Sequence, residues 1–67
     1  MEITLNNQTI TITENEVLET LLKTNGLLSK KGIAVAVNSA VVPKSNWSSH
    51  KLLPNDNVMV ITATAGG

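Results

Sequence analysis

With 67 residues the chain has room for one domain and one core, and a domain of this size buries only about 60% of the surface its unfolded form exposes. Apolar residues make up 42% of it, almost all aliphatic, with Trp47 the sole aromatic. That suffices for a compact core, is too much for a disordered chain, and leaves little to line an aromatic ligand pocket. Five lysines balance five carboxylates and arginine is absent, so the basic stripe and stacking aromatics of a nucleic-acid binder are missing.

The lack of cysteine excludes disulfides and thiolate metal sites, and any sulfur handled here cannot ride on a Cys side chain. Neither a long apolar run nor a charged-then-apolar leader is present. The expectation is a soluble, cytoplasmic protein with no nucleic-acid and no membrane partner. The triplets Asn7-Gln8-Thr9 and Asn46-Trp47-Ser48 match a glycosylation acceptor, but without a secretory signal they carry no weight.

In chain order, Met1, Ile3 and Leu5 alternate with Glu2, Thr4 and Asn6, and Ile10 and Ile12 repeat the pattern beyond Asn6-Asn7-Gln8. Two period-2 runs around an Asn-rich turn predict a hairpin with one buried face. The period changes at Thr13. Thr13-Glu14-Asn15-Glu16 fits a capping box, with the Thr13 hydroxyl open to the Glu16 N–H and the Glu16 side chain reaching back, and Ile12 and Val17 flank it at the spacing of a hydrophobic staple. Val17, Leu18, Leu21 and Leu22 then share one helical face. Asn25-Gly26 ends the helix, with Gly26 suited to the left-handed position and Leu27 placed to meet Leu22 in a Schellman arrangement.

After a polar connection over residues 28–32, Ile33-Ala34-Val35-Ala36-Val37 reads as a strand with β-branched residues on one face and small ones, expected to pack closely, on the other. Asn38-Ser39 predicts a turn, and Ala40-Val41-Val42 a short strand that Pro43 confines to a sheet edge. Residues 44–51 are polar and expected to be irregular. Pro54-Asn55-Asp56 is a turn, residues 58–63 a last apolar strand, and Thr64-Ala65-Gly66-Gly67 a flexible end without a bulky side chain.

The order strand, strand, helix, strand, short strand, strand fits an α+β fold of the β-grasp (ubiquitin-like) kind. A single domain spans residues 1–67, its first and last strands parallel in the middle of a mixed sheet with one crossover helix. Other small α+β sheets share that order.

Among candidate sites the diglycine comes first. Two consecutive glycines at a chosen place arise by chance in about one chain in two hundred, so a frayed end is the bland alternative. Here, however, a predicted central strand projects a peptide able to thread a narrow channel. The Gly67 carboxylate is ionised at neutral pH, can attack a phosphorus centre, and resists acyl substitution until converted to something like an acyl-adenylate. His50, the single histidine, has no nucleophile recognisably paired with it and no second His for a metal, so a surface or loop-structural role is favoured. Trp47 suits an interface hot spot but is read as packing that pins residues 44–51 against the sheet. Glu14, Glu16 and Glu19 lie where the helix N-terminal half is expected, and with Asp56 they form no acid–base dyad. Lys30-Lys31 reads as a solvated pair, and Gly26 and Gly32 match no phosphate loop, so no catalytic residue and no metal site is expected.

These residues are recognisable together. Val41-Val42-Pro43-Lys44, Trp47, His50, residues 58–61 and Ala65-Gly66-Gly67 resemble the ThiS family, the sulfur carriers of thiamine biosynthesis, over essentially the whole length. Lys44 stands where family members often have Arg, and Asn55-Asp56-Asn57 where they often have an acidic-Gly-acidic turn. The resemblance implies a carrier, not an enzyme. An E1-like adenylyltransferase of the ThiF type uses ATP and magnesium to make the Gly67 acyl-adenylate, with Thr64, Ala65 and Gly66 giving access to the partner's active site. Sulfur from a cysteine desulfurase system leaves a thiocarboxylate, and a thiazole synthase of the ThiG type takes that sulfur. The alternatives are a molybdopterin-pathway or tRNA-thiolation carrier, a protein-conjugating modifier, or a β-grasp module binding partners noncovalently.

Overall fold

The structure is a computed structural model and describes residues 1–62. Strands β1 (Glu2–Leu5) and β2 (Gln8–Thr11) form an antiparallel hairpin. Its turn residues Asn6 and Asn7 both have positive φ, 49° and 69°, as a two-residue type I′ turn requires. Helix α1 (Leu18–Thr24) follows, then β3 (Ile33–Val37), β4 (Ala40–Val41), a 3-10 turn at Lys44–Asn46, and β5 (Asn57–Thr62). The five strands lie in the order β2-β1-β5-β3-β4, with β1 and β5 parallel and the other pairs antiparallel. The expected arrangement holds, including the edge position of β4 before Pro43. Residue 63, expected to close the last strand, lies outside the described residues.

The helix begins four residues later than the capping-box reading implied. Asn15 sits at φ 64°, which breaks a helix at that point. The Glu16 carboxylate does reach back, accepting from the Thr13 hydroxyl at 2.9 Å and the Thr13 N–H at 3.4 Å, but it closes a turn ahead of the helix. Val17 is the extended residue before α1 and bridges to Lys51, so it belongs neither to the apolar stripe nor to a staple. Glu19 alone of the three glutamates lies in the first helical turn. The orphan N–H groups find distant carbonyls instead: Leu18 donates to His50 O at 2.8 Å and Glu19 to Trp47 O at 3.0 Å. Residues 47–50 thus supply by tertiary contact what a side-chain cap would supply locally.

The helix end follows the sequence closely. Leu27 N–H donates to Leu22 O at 2.8 Å and Gly26 N–H to Lys23 O at 3.2 Å, the two bonds of a Schellman motif, with Leu27 packed on the core. Gly26 has φ +71°, and a Cβ there would meet no atom within 4 Å. Gly26→Ala is therefore expected to cost only the left-handed backbone penalty, about 1 kcal/mol after the gain from a stiffer unfolded chain, read as a lower urea midpoint at unchanged slope.

Leu18, Leu21 and Leu22 on α1 bury against Ile3, Val35, Val37 and Val58 of the sheet, with Trp47 and Leu52 closing the core. Trp47 is 3% exposed and its indole N–H donates to Val42 O at 2.9 Å, so the packing reading is the right one. Asp56, also buried, accepts from Leu53 N–H at 2.8 Å and from the Asn38 amide at 2.9 Å, tying the last turn to the β3–β4 turn. The second face of β3 departs from expectation: Ala34 is exposed and Ala36 only half-buried, so that face is not closely packed.

Candidate functional site

The site begins with the strand that would project the tail. β5 pairs with β3 along its length, from Val37↔Val58 to Ile33↔Thr62. With β1 it pairs only at Thr4↔Asn57 and Leu5↔Val58. Beyond that point the hairpin turn takes over: Asn6 N–H donates to Val58 O at 2.9 Å, and Val60 N–H donates to the Asn6 side-chain carbonyl at 2.8 Å. Asn6 therefore extends the ladder by one rung after β1 has turned away, and it does so from the left-handed conformation that Asn tolerates. The start of β5 is fixed as firmly. Thr4 donates from its hydroxyl to Asn57 Oδ1 at 2.9 Å, and Asn57 N–H donates to Asn38 Oδ1 at 2.9 Å. The sequence reading missed Asn6, Asn38 and Asn57. The signal for them was the clustering of Asn at turn positions, where a side-chain amide can replace a missing backbone partner.

Thr64, Ala65, Gly66 and Gly67, the residues on which the sequence places the chemistry, lie outside the described residues. The described part supplies a clamped central strand ending at Thr62 and, beside it, an open sheet face. Side chains alternate along β5, so Val58 and Val60 face α1 while Met59 and Ile61 face away. Register places Ala36 opposite Met59, Ala34 opposite Ile61, and Val41 opposite Ala36. Val41 is 74% and Ile61 61% exposed, giving an apolar patch on the uncovered side of the sheet.

The remaining candidates occupy other places. His50 is half-buried and works through its backbone, donating to Asn46 O at 2.9 Å and accepting from Leu18 N–H at 2.8 Å. Glu14, Glu16 and Glu19 lie around the start of α1, away from the end of β5. Among the described residues no three His, Cys, Asp or Glu side chains gather where they could hold a metal ion, and no helix is long and apolar enough to cross a membrane.

A five-stranded mixed sheet with parallel first and last strands at its centre and one helix across one face defines a β-grasp, ubiquitin-like protein. Within that class the chain belongs to the ThiS family, whose family model matches residues 1–67. It is 27% identical over 67 residues to the sulfur carrier protein ThiS of Escherichia coli strain K12, covering all of both chains. A crystal structure of the thiamine biosynthesis protein ThiS from Geobacter metallireducens superposes with a TM-score of 0.86 at 20% identity, again over both whole chains. A solution structure of a thiamine biosynthesis protein from the same organism gives 0.77 at 20% identity, covering all of this chain and 88% of the other. The two structural likenesses bear on fold; the family match bears on kinship.

Proposed function

We propose that this chain is a cytoplasmic sulfur carrier for thiamine biosynthesis, a single domain whose working group is the Gly67 carboxylate. The observation that carries the reading is the family match across residues 1–67, the diglycine included, on a fold whose clamped central strand precedes it in the chain. In this reading the protein is a co-substrate. A ThiF-type adenylating enzyme binds ATP and magnesium, and the Gly67 carboxylate oxygen attacks the α-phosphorus, releasing pyrophosphate. The terminal sulfur of a desulfurase-derived persulfide attacks the acyl-adenylate and releases AMP, leaving an acyl disulfide. A second thiol of the sulfur donor then cleaves that disulfide, forming a disulfide on the donor and freeing the Gly67 thiocarboxylate. A ThiG-type thiazole synthase then takes the sulfur. The partners supply the catalytic groups and shield the acyl-adenylate from water, while the small residues from Ala65 to Gly67 let the end enter their active sites.

The test is the intact mass after co-expression with the cognate adenylating enzyme and sulfur donor, where one oxygen should be replaced by sulfur. An unshifted mass, with the enzymes active on a known carrier, would return the diglycine to an incidental role. Rescue of molybdenum-cofactor deficiency in place of thiamine auxotrophy would move the carrier to the other pathway.

The apolar patch of Val41, Met59 and Ile61 is the docking face in this reading, because it adjoins the strand that carries the tail and is left uncovered by α1. Ile61→Asp is expected to raise KM for adenylation about tenfold, the effect of desolvating one charge in an otherwise apolar contact. Stability in urea should fall by no more than the roughly 1 kcal/mol of lost strand preference, since the side chain is largely exposed. Unchanged adenylation kinetics would rule this face out.

A further inference from the structure

The balanced net charge conceals a segregated one. Of the five lysines, Lys30, Lys31 and Lys44 border one groove with Ile33 and Trp47, and Lys23 borders a second that shares Leu28 and Ser29 with it. Among the described residues no carboxylate lines either groove. Glu14, Glu16 and Glu19 sit instead before and within the first turn of α1, and Asp56 precedes the start of β5. Lys51, the fifth lysine, lies by Val17 at that acidic end of the helix.

The basic cluster has a defined place relative to the tail. Lys30 and Lys31 are separated by Gly32 alone from β3, whose first residue Ile33 pairs with Thr62, the last residue of β5. Five residues separate Thr62 from the end of Gly67, a covalent reach of at most about 17 Å. An enzyme that draws Gly67 into its active site must therefore bring the mouth of its cleft against this end of the sheet, where the lysines stand. The lysines themselves cannot follow the carboxylate inside, so their counterpart is protein surface at the mouth and not the phosphates of a nucleotide within.

We propose that Lys30, Lys31 and Lys44, flanked by Lys23, form an electrostatic docking rim for an acidic surface around the tail-binding cleft of the adenylating enzyme. This rests on the carrier reading above and extends it from the tail to the partner's surface charge. All four lysines are exposed, so their effect falls on encounter and on salt dependence more than on the strength of the final complex.

The test uses the full chain and its adenylating enzyme, with kcat and kcat/KM for acyl-adenylate formation measured at low and high ionic strength. In the combined Lys30→Glu, Lys31→Glu, Lys44→Glu variant kcat/KM should fall about 10–100-fold at low salt with kcat unchanged, and most of the deficit should close at high salt. The corresponding triple Arg variant should behave as wild type, and Lys51→Glu should lose less than threefold. The proposal is overturned by a triple Glu variant equal to wild type, by a loss insensitive to salt, or by an equal loss in Lys51→Glu, which would reflect net charge alone. Far-UV circular dichroism keeps an unfolded variant from counting as a loss of docking, and the triple Arg variant with a charge-neutral Lys→Gln set then decides the matter. If the wild-type chain is not adenylated at all, the carrier reading falls and takes the rim with it; a variant-specific loss leaves that reading standing.

Discussion

Deletion of Gly67 should abolish thiocarboxylate formation and leave the fold untouched. The shortened chain still ends in an ionised carboxylate, now on Gly66, so any loss comes from position and not from missing chemistry. One residue removes about 3.5 Å of reach, and a displacement of even 1 Å in a reacting pair can cost on the order of a hundredfold in rate. Gly66 would leave its oxygen short of the α-phosphorus held in the partner. Gly67→Ala keeps the reach and adds a methyl beside the reacting carbonyl, so it should slow the reaction without abolishing it. Stability should be unaffected in both, because the described core runs from Ile3 to Val58 and the described β3–β5 pairing reaches Thr62, five residues ahead of Gly67. Intact mass distinguishes the outcomes. Thiocarboxylate on the shortened chain at the wild-type level would mean that the partner accepts any terminal glycine, and the assignment to Gly67 would have to be given up.

What could be read in the chain beforehand divides along a physical line. Features set by local pattern were legible: the alternation of Ile3 and Leu5, the Leu18-Leu21-Leu22 stripe, the Gly26 stop and the edge strand ahead of Pro43. Each depends on side-chain period or on a backbone constraint within a few residues. The helix start was misplaced because its cap is not local. Thr13 and Glu16 have the spacing of a capping box, yet Asn15 at φ 64° breaks the chain there, and the first helical N–H groups are met by carbonyls some thirty residues on. Asn6 and Asn38 were legible only as turn formers, since their second task, bonding to β5, depends on which strand lies alongside. Lys30 and Lys31 are the solvated pair their sequence suggests, but that Lys44 borders the same groove depends on the fold and not on local sequence.

Trp47→Ala should destabilise the protein by about 3–5 kcal/mol, the usual range for truncating a buried large aromatic. Against the roughly 3–10 kcal/mol that a domain of this length possesses, that leaves a marginal or unfolded chain. Two separate losses contribute. The ring is 3% exposed and closes the core between α1 and the sheet, so its removal opens a cavity, and the Val42 carbonyl loses the donor 2.9 Å away. Because the Trp47 backbone carbonyl caps Glu19 and its neighbour His50 caps Leu18, disorder in residues 44–50 also uncaps the helix. Trp47→Phe retains most of the apolar contact and forfeits the hydrogen bond, so about 1–2 kcal/mol is expected. The measurement must be circular dichroism in urea, since Trp47 is the sole aromatic and its substitution removes the intrinsic fluorescence. Hydrogen exchange at the Leu18 and Glu19 amides, accelerated well ahead of the β3–β5 amides, would locate the damage at the helix start. An Ala variant of wild-type stability that failed only in partner binding would instead make Trp47 an interface anchor, at odds with its burial.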